Sequence, residues 1–209
     1  MSLIKFLLGP TKALNLNMIK KISYYLKFLF QGTSKYNIHS PMVHDFIENI
    51  LDSAIKYYSF IGIEHVRSLL LKQKDAIELK DMGVGSQSIK SSTSTINILT
   101  KKVQSRPEKA QILFKIVSFF QMENILEIGT SLGLTTAYPS NANKNGKITT
   151  IEGDPTVSNL AKKNFKTLNL ENVELINGPF DKIIPQLLNN KFDLVFFDGN
   201  HSKEATLRY

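Results

Sequence analysis

The spacing of hydrophobic residues changes near residue 124, from a helical repeat to short apolar runs. Before that point apolar residues recur three and four positions apart, as on one buried face of a helix. Residues 39–58 and 107–120 show this pattern, and Pro41 and Pro107 each suit a first helical position. The apolar face of the second helix comprises Ala110, Leu113, Phe114, Val117 and Phe120. The first part of the chain is therefore predicted to be mainly helical.

After residue 124, short apolar runs alternate with helical segments. Strands are predicted at 125–128, 147–151, 173–176 and 192–197. Asp154 and Pro155 begin a helix between the second and third strands, and residues 179–188 supply a shorter one before the fourth. Strands that alternate with helices predict an α/β fold with a doubly wound parallel sheet.

Pro139 follows the first predicted strand, about where the next helix should continue. A proline inside a helix costs on the order of 3 kcal/mol or more. We therefore expect this helix to be short, or broken before residues 140–146.

The segment 81–102 is polar and is predicted to be a flexible connection rather than a core element. It contains Asp81, Gly83 and Gly85, which look like an acidic nucleotide-binding turn, but the preceding residues are too charged for the buried strand that such a turn needs. We interpret this stretch as a loop. The predicted organisation is a mainly helical segment with a polar linker over 1–105 and the α/β domain over 106–209.

Composition excludes several classes of protein. The chain has no cysteine, hence no disulfide and no thiolate metal site. Its first apolar run, residues 3–8, is interrupted by Lys5 and followed by no cleavage site, so a secretory signal is not expected. No run approaches the roughly 18 apolar residues of a membrane span. We expect a cytoplasmic protein.

Positive charge is concentrated in the N-terminal part. The net charge is +8, with 17 basic and 8 acidic residues in 1–120 against 9 and 10 in 121–209. Such a segment suits nucleic acid, an anionic membrane surface or an acidic partner, although a simple solvated face is favoured. Residues 19–30 interleave lysines with aromatics and could lie on a membrane or stack on RNA. Alternatively, Ile22, Tyr25, Leu26 and Leu29 form an ordinary core stripe.

Polar residues gather where the predicted strands end, which is where parallel sheets bind ligands. The first strand leads into E-x-G-x-x-x-G, from Glu127 through Gly129 to Gly133. Ser131 stands where a dinucleotide motif has its second glycine. A carboxylate beside a diphosphate would repel it but would attract a cationic ligand. The pattern therefore favours S-adenosylmethionine, which carries an ammonium and a sulfonium and no phosphate, over a dinucleotide. Glu152, 19 positions after Gly133, suits ribose hydroxyls.

Four segments together resemble the class I S-adenosylmethionine-dependent methyltransferases, and among them the bacterial O-methyltransferase-like group. The segments are LEIGTSLG (126–133), ITTIEGDP (148–155), ELINGPF (174–180) and FDLVFFDGNH (192–201). IHSPMVHDF (38–46) is similar to a leader segment of some bacterial members. The resemblance implies a Rossmann-like cofactor domain over 106–209.

The same resemblance implies the cofactor-binding residues. They are Glu127, Gly129, Thr130, Ser131, Gly133, Glu152, Gly153, Gly178, Pro179, Phe180 and Asp198. Glu127, Gly129 and Gly133 would hold the methionine end, Glu152 the ribose, and the turn at 178–180 the adenine. Alternatively, Glu127 caps neighbouring amides.

Asp198 and His201 are the implied catalytic residues. In metal-dependent members resembling catechol O-methyltransferase, an aspartate at this strand end binds a divalent metal such as Mg²⁺, and a base three residues later removes the acceptor's proton. Asp198 and His201 match those positions. Alternatively, His201 caps the next helix and Asp198 contacts the cofactor without a metal.

The family's sheet usually has seven strands, whereas Tyr209 falls in the helix after the fourth. We therefore expect an incomplete sheet of about four strands and a truncated domain. The predicted function is O-methyl transfer from S-adenosylmethionine to a small-molecule hydroxyl. A homodimer is compatible with this prediction. The alternatives are a non-catalytic binding protein or inactive truncated copy, methylation of RNA, and a dinucleotide-dependent oxidoreductase. Nucleic acid or a membrane surface as a partner of the basic segment is not favoured.

Overall fold

The computed structural model describes residues 16–32, 38–79, 93–199 and 203–209. The chain separates into two compact units, Met1–Ile47 and Glu48–Tyr209. The predicted boundary between residues 105 and 106 falls inside the second unit. Within the described ranges, no helix is long and apolar enough to cross a membrane.

The first unit contains helices α1 (Leu16–Gln31) and α2 (Pro41–Phe46). The start of α2 is as predicted, because the Ser40 side chain accepts a hydrogen bond from Val43 N and Pro41 opens the helix. A π-helical turn, Ile47–Leu51, follows, and the chain is not helical again until Tyr58. The prediction of one helix over 39–58 is therefore wrong beyond Leu51.

The second unit begins with elements that the sequence pattern did not reveal. Helix α3 (Tyr58–Leu70) precedes two short antiparallel strands, β1 (Ala76–Glu78) and β2 (Thr93–Thr95), and helix α4 (Ile96–Val103). Ile96 and Leu99 of α4 are buried in the main core. The prediction of a flexible connection is thus wrong for residues 93–102, because these two side chains give the helix a face to bury. The acidic glycine stretch 81–85 lies outside the described residues.

The remainder alternates helices and strands. In chain order the elements are α5 (Pro107–Phe120), β3 (Asn124–Ile128), α6 (Ala137–Ala142), β4 (Lys147–Glu152), α7 (Pro155–Thr167), β5 (Val173–Asn177), α8 (Phe180–Leu187), β6 (Leu194–Phe197) and α9 (Lys203–Arg208). Strands β3 to β6 form one parallel sheet in the order β5-β4-β3-β6. This confirms the predicted doubly wound α/β fold of about four strands.

The strand order reverses between β3 and β6, because β4 and β5 lie on one side of β3 and β6 on the other. At such a switch point the connections leave to opposite faces of the sheet and open a crevice beyond the carboxyl ends of the strands. The ends of β3, β4 and β6 therefore surround the place where a ligand is expected.

Side chains of β3 alternate between the two faces of the sheet, as strand geometry requires. Ile125 packs with Val117 of α5, whereas Leu126 and Ile128 pack with Ile184 of α8. A larger cluster joins α3, α4, α5, α6 and α7, and Phe60, Phe114 and Tyr138 form its aromatic centre. Helices thus cover both faces.

The helix that contains Pro139 is short, as predicted, but it is not broken before residue 140. It begins at Ala137 and continues to Ala142. Pro139 therefore lies in the first turn, where backbone N–H groups have no partner within the helix. The missing N–H of proline costs little at that position.

Candidate functional site

The turn after β3 has three residues in the left-handed region: Gly129 (φ 105°), Ser131 (φ 49°) and Gly133 (φ 76°). A Cβ on Gly129 would lie 2.7 Å from the backbone of Asp198 and Gly199. A Cβ on Gly133 would lie 2.3 Å from the ring of Phe165. The first glycine thus lets the ends of β3 and β6 approach each other, and the second lets α7 pack against the turn.

Glu127 is buried in β3, with 2% of its surface exposed. Its Oε2 accepts hydrogen bonds from the hydroxyls of Thr136 at 2.5 Å and Thr150 at 2.6 Å. The Thr150 hydroxyl also lies 2.6 Å from that of Thr130. These partners are hydroxyls, so the contacts seen for Glu127 differ from the amide capping considered as the alternative.

Burial raises the pKa of Glu127 to about 8, against the opposing effect of the two threonine hydrogen bonds. Repulsion from Asp198 and Glu152 raises this pKa further. Asp198 and Glu152 therefore lie close enough to Glu127, at the carboxyl edge of the sheet, to affect its ionisation. With a pKa of about 8, Glu127 is mostly protonated at neutral pH, and a cation bound beside it would favour its ionised form, whereas an anion would oppose it.

Glu152 ends β4 and ties it to the turn after β3. Its Oε2 accepts from Ser131 N at 2.8 Å and its Oε1 from Asp154 N at 2.9 Å. Burial raises the pKa of Glu152, and these backbone hydrogen bonds lower it. The backbone N–H of Gly153 also acts on this carboxylate as a hydrogen-bond donor. Two carboxylate oxygens offer four acceptor positions, so one is left for a further donor.

The turn at 178–180 lies beside Glu152. Gly178 N donates to Glu152 O at 3.0 Å. Asn177 Nδ2 donates to the same oxygen at 2.7 Å and to Gly153 O at 3.3 Å. Pro179 precedes α8 and Phe180 opens it, with its ring edge-to-face against Tyr209. The predicted ribose and adenine residues are thus adjacent, and Asn177 is a connection between them that the sequence analysis missed.

Asp198 follows β6 and is half-buried at the switch point. Its backbone N donates to Ile128 O at 2.9 Å, and its Oδ2 accepts from the Ser105 hydroxyl at 3.1 Å. His201 lies outside the described residues. Within the described ranges, which omit 200–202, no group of three or more His, Cys, Asp or Glu side chains could hold a metal ion.

The connection between α4 and α5 contributes two further side chains that the sequence analysis missed. Gln104 Nε2 donates to the Ser131 hydroxyl at 2.7 Å, while Ser105 contacts Asp198. This connection therefore crosses the crevice from the turn after β3 to the end of β6. No local pattern could have indicated it, because the partners are 27 and 93 positions apart.

A charged network that includes Glu64 and Arg67 of α3 supports this connection. Arg67 Nη1 donates to Ser105 O at 3.3 Å, and Arg67 Nε donates to the Glu64 carboxylate at 3.0 Å. Tyr138 donates its hydroxyl to the same carboxylate at 2.6 Å. Within the described structure, Gln104 Oε1 and Arg67 Nη2 are buried without a hydrogen-bond partner. One acceptor in this connection and one donor in the network that supports it thus have no partner among the described residues.

Comparison with known proteins gives matches concentrated on this half of the chain. Residues 126–209 match the family described as Methyltransferase domain. A catechol O-methyltransferase from Niastella koreensis is 33% identical over 99 residues, which is 45% of either chain. Another, from Mycobacterium tuberculosis, is 26% identical over 165 residues, covering 78% of this chain and 62% of that one. The chain thus spans less than two thirds of the length of these curated relatives.

The fold likeness extends over more of the chain. The SAH-bound Podospora anserina methyltransferase PaMTH1 aligns with a TM-score of 0.51 at 17% identity, covering 92% of this chain and 62% of that one. At this identity the likeness concerns the fold, and it agrees with the Rossmann-like sheet described above.

Proposed function

We propose that the chain transfers a methyl group from S-adenosylmethionine to a small-molecule hydroxyl. The premise is that residues 126–209, which match the family described as Methyltransferase domain, form a cofactor domain of the class I S-adenosylmethionine-dependent, O-methyltransferase-like type. One observation carries the proposal: Glu127, Glu152 and Asp198 gather around a glycine turn at the switch point of the sheet. Three carboxyl groups suit a ligand with positive charge and no phosphate.

The residues present fit such a cofactor. The acceptor position that the three backbone donors leave on Glu152 suits a ribose hydroxyl. Among the described residues, the buried Gln104 Oε1 and Arg67 Nη2 are an acceptor and a donor without partners, and an amino-acid end brings an ammonium and a carboxylate. We assign the methionine end to these two groups together with Glu127 and the turn after β3, and the adenine to the turn at 178–180.

When bound, the cofactor supplies an electrophilic methyl group on a sulfonium sulfur. The acceptor's hydroxyl oxygen would form the new O–C bond as the S–C bond breaks, which yields a methyl ether and S-adenosylhomocysteine. The hydroxyl proton would pass to His201, a base whose ordinary pKa is near neutral. Asp198 would lie beside the reacting atoms, either as a contact to the cofactor or as a ligand of Mg²⁺.

Calorimetric titration with S-adenosylmethionine tests the cofactor assignment. We expect saturable binding that Glu152→Gln weakens and that Glu174→Gln leaves unchanged. Glu174 is a matched control, because it is an exposed glutamate on β5 that pairs with Lys147. NADH should not bind. Binding of NADH in place of S-adenosylmethionine would contradict the proposal and favour an oxidoreductase.

Methyl transfer is tested separately, with labelled S-adenosylmethionine and catechol as the first hydroxyl acceptor. Labelled methyl ether is the expected product. Cofactor binding without transfer to catechol or to a panel of other small hydroxyl compounds would favour the non-catalytic alternative. Transfer to RNA alone would identify the other acceptor class.

A further inference from the structure

Helix α1 carries an apolar stripe that is exposed in the structure. The stripe consists of Met18, Ile22, Tyr25, Leu26 and Leu29, whose spacing of three and four positions places them on one side of the helix. These side chains are between 45% and 61% exposed. Among the described residues, these side chains belong to none of the buried core clusters. A contiguous exposed apolar face of this kind marks an interaction surface.

The charge around this α1 stripe is entirely positive. At 3.6 residues per turn, Lys20 and Lys27 fall on the opposite side of the helix and Lys21 at its border. The helix contains no acidic residue, and the first 44 residues contain six lysines and neither aspartate nor glutamate. The first acidic residue is Asp45. A partner of this surface should therefore combine an apolar layer with negative charge.

The length of α1 limits how it could meet such a partner. Its 16 described residues extend about 24 Å along the axis and include three lysines, whereas a spanning helix needs roughly 20 predominantly apolar residues. The helix is thus suited to lie along a surface. Amphipathic helices with basic and apolar sides bind anionic bilayers in this way, with the apolar side among the acyl chains and the lysines near the phosphates.

We propose that α1 docks on an anionic membrane surface, with the α1 stripe at the boundary between headgroups and acyl chains. A second α1 is a poorer partner, because it could cover the α1 stripe but, having no acidic residue, would offer no negative charge to Lys20, Lys21 and Lys27. RNA is a poorer partner as well, because Tyr25 is the one aromatic side chain of the α1 stripe and the other four cannot stack on bases. The proposal does not depend on methyltransferase activity.

Vesicle flotation with the full chain is the first test. We expect binding to phosphatidylcholine vesicles that contain phosphatidylglycerol, and little binding to phosphatidylcholine alone. Leu26→Glu should weaken binding roughly a hundredfold, because it places a charge in the apolar side. Gln31→Glu adds the same charge on the lysine side of the same helix and is the matched control, for which a much smaller loss is expected. Removing three charges with Lys20→Gln, Lys21→Gln and Lys27→Gln should also weaken binding roughly a hundredfold.

A fluorescence measurement tests the orientation of the helix. The chain has no tryptophan, so an introduced one is the sole indole reporter. Tyr25→Trp lies on the apolar side and Tyr24→Trp on the side of the lysines, although the two positions are adjacent. Anionic vesicles should shift the emission of Tyr25→Trp to shorter wavelength and leave that of Tyr24→Trp nearly unchanged. Equal shifts would overturn the proposed orientation.

Three results would overturn the proposal itself. The first is no binding to anionic vesicles by a chain whose circular dichroism and melting are those of a folded protein. The second is a concentration-dependent dimer that Leu26→Glu dissociates, with no vesicle binding, which would assign the α1 stripe to a second copy. The third is vesicle binding that is lost without the lysines but unaffected by Leu26→Glu, because the apolar side would then have no part in binding. Binding of RNA instead of vesicles would count against the proposal in the same way.

Discussion

The carboxylate of Glu152 accepts a hydrogen bond from the backbone N–H of Ser131 at 2.8 Å, and this bond ties the turn after β3 to the end of β4. The same carboxylate accepts from Asp154 N at the start of α7. One side chain thus joins two strand ends and a helix, at the position where we assign the ribose.

Glu152→Gln should therefore lower stability as well as cofactor affinity. The amide oxygen of glutamine can accept one of the two backbone bonds, but its NH₂ group would face the other N–H, donor against donor. We expect a loss of about 1–3 kcal/mol in the free energy of unfolding, measured by urea denaturation. Glu174→Gln is the control, and equal stability of the two variants would show that the Glu152 bonds contribute little.

Glu127 should make stability depend on pH. Its folded pKa of about 8 lies above the ordinary value of 4.5, so the folded state holds a proton that the unfolded state has released between these values. The stabilisation that protonated Glu127 contributes is fully present below its ordinary pKa and is lost as pH rises through its pKa in the folded state. Glu127→Gln removes this loss while its amide oxygen can still accept from Thr136 and Thr150.

Urea denaturation at acidic, neutral and alkaline pH measures the effect of Glu127. The stability of Glu127→Gln relative to the wild-type chain should grow as pH rises toward 8, by a few kcal/mol at most, since one pKa unit corresponds to about 1.4 kcal/mol. Parallel pH profiles for the two proteins would mean that Glu127 keeps an ordinary pKa.

Gly133→Ala should destabilise the fold through α7. The new Cβ would lie 2.3 Å from the Phe165 ring, on a residue with φ of 76°. Left-handed backbone and overpacking together should cost about 2–5 kcal/mol. In a double-mutant cycle, Phe165→Leu should recover part of this loss, because it removes the clashing ring carbons. Strict additivity of the two substitutions would place the strain elsewhere.

His201→Ala should lower turnover while the affinity for S-adenosylmethionine stays the same. Loss of a general base costs on the order of 10²–10⁴ in rate. His65→Ala, which changes an exposed histidine on α3, is the matched control in labelled methyl transfer. An unchanged rate for His201→Ala would remove this residue from the mechanism.

Chelation tests the metal predicted at Asp198. If Mg²⁺ takes part, EDTA should abolish methyl transfer, added Mg²⁺ should restore it, and calorimetric affinity for S-adenosylmethionine should change little. Full activity in EDTA would assign Asp198 to cofactor contact alone.

Much of the fold could be predicted from the sequence because the relevant signals are local. Ser40 and Asp154 begin helices by accepting hydrogen bonds from N–H groups two or three residues later, so the motif carries its own partner. The sheet could be predicted because its short apolar strands are each followed by a polar residue or glycine. Pro139 shows the limit of such prediction. The free-energy cost of this proline depends on whether it lies in the first turn or in the interior of its helix, and a shift of a few residues in the start of the helix decides between the two.

The sequence by itself determined which residues stand at the strand ends, since position along a strand is a local property and parallel strands bring their ends together. Only the tertiary structure decided what crosses the crevice and what stays exposed. Gln104 and Ser105 reach Ser131 and Asp198 from a segment that looks like linker, because packing of α4 and α5 sets their position. The stripe of α1 has the spacing of a core helix, and a periodic pattern specifies an apolar side without specifying what covers it.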